Sequence, residues 1–394
     1  MVSLRIKGFL ILLFLLGSCV RPGLQAQSTA NIRLGIERTN EYLPLLQGKS
    51  VGLVVNHTSI FPNKTHLADS LLALGIHIKT IFSPEHGFRG TADAGEHISS
   101  GVDTKTGLPI VSLYGSNRKP TPEQIKDIDI LLFDIQDVGA RFYTYTSTMH
   151  YVMEAAAEQG KTVLILDRPN PNGHYIEGPV LDRKFASFVG LNPIPTVHGC
   201  TIAELARMIN GEGWLKDGKI CKLITVSCEH YSHSMPYTLP VAPSPNLPNQ
   251  QSILLYPSIC IFEATEISVG RGTDTQFQVI GGPSPSFGTY AFTPEPKPGA
   301  MDPPNKGKVC YGLDLRKVNA WKEGYTLKYL IEMYQKAPDK SKFITNIKSF
   351  DILSGTDQVR LQLLAGKSES EIRNSWKSAL KQYQEIRKKY LLYL

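Results

Sequence analysis

The first half of the chain alternates short β-branched segments with segments of helical period, and this alternation limits the fold more than any other feature of the sequence. Four apolar segments each end in a polar loop: 50–55 (SVGLVV), 76–82 (IHIKTIF), 128–133 (IDILLF) and 162–166 (TVLIL). The clearest helical stretch, Ser147 to Gln159, lies between the last two and has apolar side chains at spacings of three and four. Such alternation predicts βαβ units and a parallel sheet.

Parallel strands joined by right-handed crossovers end at one edge of the sheet, where open α/β folds bind their ligands. The four polar loops should therefore meet at that edge. We predict an α/β fold, with a Rossmann-like parallel sheet and helices on both of its faces over residues 30–240, and a smaller α+β C-terminal domain over 241–394. A Pro-rich connector from Pro236 to Pro257 spans the predicted boundary.

The N-terminus has the pattern of an export signal over residues 1–26. A short basic start precedes an unbroken apolar run, Phe9 to Leu16, which is too short to span a bilayer. Two cleavage sites fit the sequence. The string LGSC resembles a bacterial lipobox that would leave Cys19 lipidated, and Leu24–Ala26 suits an ordinary signal peptidase. The chain is therefore predicted to be exported in a bacterium, either to the periplasm or to the outer membrane through a lipid anchor on Cys19.

Several classes of ligand are not indicated, because their motifs are missing. The net charge is +7 with no block of five like charges, so nothing points to nucleic-acid binding. The phosphate motifs GxxxxGK[ST] and GxGxxG do not follow the strands, and a GxSxG elbow is absent. Several histidines lie near strand ends, but none has HExxH or another paired spacing. We therefore predict neither a metal nor any other cofactor.

Glu85 is the strongest candidate for a catalytic residue. It follows a proline at a strand end in the string SPEHGFRG, whose glycines allow the backbone to approach a ligand closely. His86 and Arg89 supply hydrogen-bond donors beside it, and a second acidic loop that contains Glu96 follows directly. Carboxylates that share a cleft raise each other's pKa, which is how a general acid stays protonated near neutral pH. A capped or salt-bridged surface loop is the alternative.

The loop after the third strand, DIQDVGARFYTY, supplies two more carboxylates. Asp134 ends an apolar run and should be partly desolvated, whereas Asp137 lies four residues before Arg141, which could neutralise it. Tyr143 is placed to stack against a sugar or to pack the loop. A structural Asp–Arg pair is the alternative explanation of these charges.

Further candidates come from two other strand-end loops and from the C-terminal part. The strand-end loops contribute the polar residues Asn56, His57, Asp167 and Arg168. A strand-end turn stiffened by prolines would also explain the last two. Beyond the predicted boundary, Glu263 and Arg271 lie in FEATEISVGRGT, where glycines bracket the arginine. This loop could close the cleft from the second domain, and a hairpin turn is its alternative.

A set of strings in fixed order resembles one family, the exo-β-N-acetylmuramidases of bacterial cell-wall recycling. The strings are SPEHGFRG, DAGE, TGLP with VSLYG, DIQDVGARFYTY, LDRPNP, EGP, SFVG, PSPN and GRGT, and the resemblance extends from about Gly35 to the end. It implies a Rossmann-like domain with a smaller C-terminal domain and an active site between them. It also implies release of N-acetylmuramic acid from the non-reducing end of peptidoglycan fragments, without metal or nucleotide. The proposed catalytic glutamate of the family's PEHG motif falls on Glu85.

The chemistry that the resemblance implies agrees with the candidate residues. Glycoside hydrolysis needs a protonated acid and usually a second carboxylate, for which Asp134, Asp137 and Glu263 compete. Muramic acid carries a lactyl carboxylate, which an arginine could bind; the candidates are Arg89, Arg141 and Arg271. Two other hypotheses stay open: a non-catalytic muropeptide- or sugar-binding lipoprotein, and a metal-dependent amidase that acts on wall peptides.

Overall fold

The apolar segments of the first half form a seven-stranded sheet in the computed structural model, which describes residues 32–88 and 101–393. The strands of the chain, in order, are β1 Val51–Val55, β2 Ile78–Ser83, β3 Gly101–Val102, β4 Pro109–Ser112, β5 Ile130–Asp134, β6 Thr162–Leu166, β7 Glu177–Val180, β8 Pro195–Val197, β9 Lys222–Val226, β10 Val279–Gly282, β11 Tyr290–Phe292 and β12 Cys310–Asp314. The large sheet has the order β3-β4-β2-β1-β5-β6-β9, and only the β3–β4 pair is antiparallel. The predicted parallel sheet is confirmed.

The strand order reverses beside β1, because the chain first adds β2 on one side and later adds β5 on the other. Crevices form at such reversals, outside the carboxyl ends of the strands. The loops that follow β1, β2 and β5 therefore lie side by side at one edge of the sheet, as the alternation in the sequence predicts.

Helices cover both faces of the large sheet. The helices are α1 Thr39–Leu46, α2 Leu67–Ala73, α3 Pro122–Ile125, α4 Tyr145–Glu158, α5 Ile202–Gly211, α6 Gln250–Ile259, α7 Ala320–Glu323, α8 Lys328–Lys336, α9 Ile347–Ser354, α10 Gln358–Leu364, α11 Glu369–Asn374 and α12 Lys377–Lys388. Neighbouring residues of β1 belong to different hydrophobic clusters, since Leu53 packs with α1 and α2 whereas Val54 packs with α4 and α5. Successive side chains of a strand point to opposite faces, so each cluster lies on its own face.

The C-terminal part has the predicted α+β character. It contains a three-stranded antiparallel sheet of order β10-β12-β11 and six helices after it, α7 to α12. The helical segment near 369–387 is divided into two helices, α11 and α12. The division lies next to Trp376, whose side chain is buried and donates a hydrogen bond from Nε1 to Glu177 at 2.9 Å. That anchor turns the chain before α12 begins.

One hydrophobic cluster continues from the parallel sheet into the C-terminal helices, joining Phe133 of β5 to Phe350 of α9. A compact unit extends from Ile32 to Leu394, and the domain boundary near residue 241 stays a prediction. None of the helices in the described part of the chain is both long and apolar enough to cross a membrane.

Candidate active site

The turn after β2 directs Glu85 away from the sheet edge. His86 and Gly87 both have positive φ, at 68° and 77°, and the N–H of Gly87 donates to the carbonyl of Pro84 at 3.0 Å. Two successive residues in this conformation reverse the chain sharply. His86 is buried by the reversal, whereas Glu85 stays half-buried and borders a cleft.

The cleft consists of two adjoining cavities, which we call the inner lobe and the outer lobe. Both are lined by Glu85, Phe142, Thr144, Tyr256 and Arg271. The inner lobe has a volume of about 60 Å³ and is also lined by His86, Tyr143, Tyr145, Ser244, Asn246 and Phe277. The outer lobe has a volume of about 250 Å³ and is also lined by Tyr114, Arg118, Phe188, Val189, Cys260 and Glu263. Glu85 therefore lies where the two lobes meet.

The carboxylate of Glu85 is held by Thr144, the residue that precedes α4. The Thr144 hydroxyl donates to Oε2 of Glu85 at 2.7 Å. Burial raises the pKa of the adjacent Tyr145 hydroxyl, and the charge of Glu85 raises it further, so Tyr145 remains a neutral donor. A carboxylate with a fixed hydroxyl donor keeps one orientation towards the cleft, as an acid–base group requires.

Aromatic side chains form the wall of the inner lobe. Tyr143 and Tyr145 meet edge to face at 4.7 Å, and Tyr256 meets Phe277 in the same way at 5.0 Å. The hydroxyl of Tyr143 donates to the carbonyl of Pro243 at 2.9 Å, which ties the wall to the PSPN segment. The structure thus places the predicted residue Tyr143 in the cleft, in the wall of the inner lobe.

Glu263 and Arg271 reach the cleft from the C-terminal part. Glu263 lies in a 3₁₀ helix, Cys260–Ala264, that follows α6, and its Oε1 accepts a hydrogen bond from Nε of Arg271. The Arg271 guanidinium also lies over the ring of Phe277, 5.1 Å from its centroid. Burial lowers the pKa of Arg271, but the charge of Glu263 outweighs burial and raises it above its ordinary value. Two carboxylates, Glu85 and Glu263, thus share the outer lobe.

Asp134 and Arg168 form a buried ion pair, which contradicts the prediction that Asp134 is catalytic and Arg168 binds substrate. Asp134 is 0% exposed and accepts from Nε of Arg168 at 2.5 Å and from an Nη at 2.9 Å. Neither residue lines a lobe of the cleft. Because both oxygens of the carboxylate are occupied and solvent is excluded, a substrate cannot reach either group.

Asp137 and Arg141 do not pair with each other, and neither lines the cleft. Asp137 accepts from the N–H of Gly139 at 2.7 Å and faces the ring of His198. Arg141 instead donates to the backbone carbonyls of three distant residues, Pro179, Ile194 and Leu353. Burial lowers the pKa of Arg141 to about 10. Both predicted binding residues are therefore structural, and Arg141 ties the Rossmann-like part to the end of α9.

Asp167 is also structural, not a substrate-binding group. It is fully buried at the end of β6, where it accepts from the hydroxyls of Thr201 and Tyr393 at 2.7 and 2.6 Å and from the N–H of Ala203 at 3.0 Å. Burial raises the pKa of Asp167 to about 6, although these three donors act in the opposite direction. The carboxyl joins β6, the start of α5 and the C-terminal segment.

The loop after β1 supports the cleft from behind. Asn56 is fully buried, and its side-chain amide donates to the hydroxyl of Tyr145 at 3.0 Å. His57 contacts the carbonyl of Ala242 through Nε2 at 2.8 Å, and burial lowers its pKa. These two residues do not line the lobes, whereas His86, predicted alongside them, does. The remaining predicted residues, Arg89 and Glu96, lie outside the described residues.

Sequence reasoning missed several residues of the cleft, above all Thr144, Asn246, Arg118 and Phe188. Thr144 and Asn246 lie inside strings that had been singled out, FYTY and PSPN, so a closer reading of those strings could have found them. Arg118 stands in a loop without any motif, and no signal in the sequence marks it. Among residues 32–88 and 101–393, no three His, Cys, Asp or Glu side chains are grouped as metal ligands would be.

These features define a class of protein, namely an α/β protein whose cleft contains two carboxylates and an aromatic wall. The family models of the exo-β-N-acetylmuramidase NamZ match residues 51–251 with the N-terminal part and 254–393 with the C-terminal part. The chain belongs to this family. It is 39% identical over 399 residues to the peptidoglycan β-N-acetylmuramidase NamZ of Bacillus subtilis strain 168, covering 94% of this chain and 93% of that protein.

Two crystal structures of DUF1343 family proteins from Bacteroides fragilis have the same fold. One is 46% identical with a TM-score of 0.86, and the other is 30% identical with a TM-score of 0.79. Each alignment covers 92% of this chain and 99% of the other.

Replacing Asp134 by Asn should destabilise the protein strongly, because it leaves the Arg168 guanidinium buried without its counter-charge. We expect the free energy of unfolding to fall by about 3–5 kcal/mol. Asp127→Asn, at an exposed position just before β5, should change it by no more than about 0.5 kcal/mol. Denaturant titration of both variants measures the difference; equal stability of the two would show that the ion pair is not essential to the fold.

Asp167 should make stability depend on pH in an unusual direction. Its pKa is raised to about 6 in the folded chain from an ordinary 3.8. Its contribution to the free energy of unfolding is therefore largest at a pH below 3.8 and is lost as the pH rises through 6. The stability of the wild type relative to Asp167→Asn should therefore fall by about 1 kcal/mol between roughly pH 5 and pH 7. Denaturant titrations at the two pH values test this; a difference that rises with pH would contradict it.

Proposed function

We propose that this exo-β-N-acetylmuramidase releases N-acetylmuramic acid from the non-reducing end of peptidoglycan fragments of the MurNAc–GlcNAc type, with Glu85 as the general acid. The observation that carries the proposal is the position of Glu85, which borders both lobes of the cleft and is oriented by Thr144. A general acid must lie beside the glycosidic oxygen while the sugar ring occupies the cavity next to it.

The unequal lobes support action at a chain end. The outer lobe is large enough to take a ring, whereas the inner lobe of about 60 Å³ holds only a few water molecules and ends on buried aromatic side chains. A polysaccharide could not continue through it. A terminal sugar would therefore sit in the outer lobe, and the rest of the fragment would leave towards solvent.

Glu263 is our candidate for the second carboxylate. Of the three carboxylates that competed for this role, Asp134 and Asp137 lie away from the cleft, whereas Glu263 lines the same lobe as Glu85. Its hydrogen bond to Arg271 holds the second carboxylate in a fixed orientation in that lobe, as a nucleophile or a general base requires.

We also propose that the protein is exported from the bacterial cytoplasm. The basic and apolar leader supports export, and the two cleavage sites correspond to a periplasmic protein and to an outer-membrane lipoprotein anchored through Cys19. Both destinations would bring the enzyme to wall fragments.

Glu85→Gln should reduce turnover in a way that depends on the leaving group. With the disaccharide MurNAc–GlcNAc the leaving alcohol needs a proton, so kcat should fall about 10²–10⁴-fold. With the 4-nitrophenyl β-glycoside of N-acetylmuramic acid the leaving group is a weak base, and the loss should be much smaller. Product release is followed by chromatography and by absorbance. Glu385→Gln, on the exposed face of α12, is the matched control and should keep full activity on both substrates.

Three outcomes would count against the assignment: an intact disaccharide with the wild type, full activity of Glu85→Gln, or an equal loss on both substrates. Tight binding of the sugar without turnover would favour the binding-protein hypothesis, and activity lost to a chelator would favour the amidase hypothesis.

Glu263→Ala should abolish turnover of the nitrophenyl glycoside and should regain part of it with sodium azide. The small anion can occupy the space that the carboxylate leaves beside Arg271 and attack the sugar in its place. Formation of a glycosyl azide, measured by mass spectrometry, identifies the second carboxylate, and an anomeric configuration opposite to that of the substrate shows that azide displaced the nitrophenol directly. Any azide product of Glu85→Gln would instead come from attack on a glycosyl–enzyme and would keep the configuration of the substrate. No azide product with Glu263→Ala would remove Glu263 from the mechanism.

A further inference from the structure

The outer lobe contains an arginine that the catalytic proposal does not use. Arg118 lies in the loop between β4 and α3, its side chain is exposed, and it borders the same cavity as Glu85. In the described part of the chain, no carboxylate lies within ion-pair distance of Arg118. Its guanidinium instead makes a cation–π contact with the ring of Phe188.

The charges of the outer lobe show why an unpaired arginine matters for an anionic substrate. Among the described residues that line it, the charged side chains are Glu85, Glu263, Arg118 and Arg271. Arg271 is engaged by Glu263, so the charges of that pair cancel. A substrate carboxylate in this lobe therefore needs a cation that is not already paired. Among the described residues of the lobe, Arg118 is thus the cation that remains available for a ligand.

The aromatic surroundings of Arg118 give its guanidinium a defined place. The guanidinium carbon lies 4.7 Å from the centroid of the Phe188 ring. Phe188 is itself buried. The centroid of its ring lies 5.9 Å from that of Tyr114 and 6.3 Å from that of Tyr151, whose ring is stacked parallel to it. A guanidinium that rests on a ring keeps its N–H edge available, and that edge fits a carboxylate in bidentate fashion.

The other arginines that could bind a substrate carboxylate do not compete with it in the described residues. Arg141 donates to three backbone carbonyls behind the cleft, and Arg168 is paired with Asp134. Both are almost completely buried. Of the three arginines that the sequence offered for this role, Arg141 is buried behind the cleft, Arg271 is paired with Glu263, and Arg89 lies outside the described residues.

We propose that Arg118 binds the lactyl carboxylate of the muramic acid ring and thereby selects muramic acid over N-acetylglucosamine at the chain end. The proposal rests on the proposed function, because it assumes that the terminal sugar occupies the outer lobe. The lactyl ether is the one group that distinguishes the two sugars, so a cation directed at its carboxylate reads the difference. Arg118 contacts the part of the substrate that does not react, and its loss acts on binding before it acts on chemistry.

Two nitrophenyl substrates test the proposal: the β-glycoside of N-acetylmuramic acid with a free lactyl carboxylate, and the same compound with that group as a carboxamide. Neither carries a peptide or a charged leaving group, so any effect of Arg118 on their difference comes from the lactyl carboxylate. The wild type should prefer the free acid. Arg118→Gln should raise KM for the acid about tenfold, with little change in kcat, and should leave KM for the carboxamide unchanged.

Conservative and distant substitutions complete the test. Arg118→Lys keeps the charge without the planar fork and should recover part of the affinity for the acid. Arg183→Gln removes an exposed arginine that lines neither lobe and should behave as the wild type. An unchanged KM of Arg118→Gln for the acid, or an equal loss on both substrates, would refute the proposal and leave the muramidase activity standing.

Binding of free sugars separates failure of this proposal from failure of the proposed function. In calorimetric titrations the wild type should bind N-acetylmuramic acid more tightly than N-acetylglucosamine, and Arg118→Gln should remove the difference. If the wild type hydrolyses neither glycoside but shows this pattern, the catalytic proposal fails and the role of Arg118 holds. If the two sugars bind equally to the wild type, Arg118 does not read the carboxylate, whatever the turnover.

Discussion

The buried ion pair between Asp134 and Arg168 is the interaction on which the sheet edge depends. It joins the ends of β5 and β6, and the backbone carbonyl of Asp134 accepts a hydrogen bond from Ser59 in the loop after β1. Charges this deeply buried are tolerated only when each meets its partner. Because they do, three neighbouring strand ends are held in one arrangement, and the aromatic wall of the cleft rests on them through the Asn56–Tyr145 hydrogen bond.

The polar groups at this edge therefore have two different tasks. Those that end or follow β5 and β6 are buried and take part in hydrogen bonds inside the protein, while the turn after β2 is reversed by two residues of positive φ and presents its carboxylate outwards. The C-terminal part completes the cleft with Glu263 and Arg271. A buried, hydrogen-bonded edge beneath a projecting acid suits catalysis, because the acid is already oriented when a substrate arrives.

Charge balance links the site to the sugar that it acts on. Glu263 and Arg271 neutralise each other, so an anionic sugar still needs a further cation at the rim. Arg118, held on Phe188, has the position and the chemistry for that role. Recognition and catalysis would then lie on different elements, the β4–α3 loop and the β2 turn, which lets one be altered without the other.

The sequence by itself determined the parallel sheet, the helices on both of its faces and the identity of the family, because all of these depend on local periodicity or on strings of neighbouring residues. It also placed Glu85 at the correct sheet edge. Only the tertiary structure decided which polar residues at that edge are exposed. Asp167 is buried by Tyr393, and Arg141 by the carbonyl of Leu353, partners that lie more than two hundred residues away. Exposure depends on such distant contacts, and no local sequence pattern predicts them. For the same reason, the role of Arg118 could be inferred only from the tertiary structure, which places its guanidinium over the ring of Phe188.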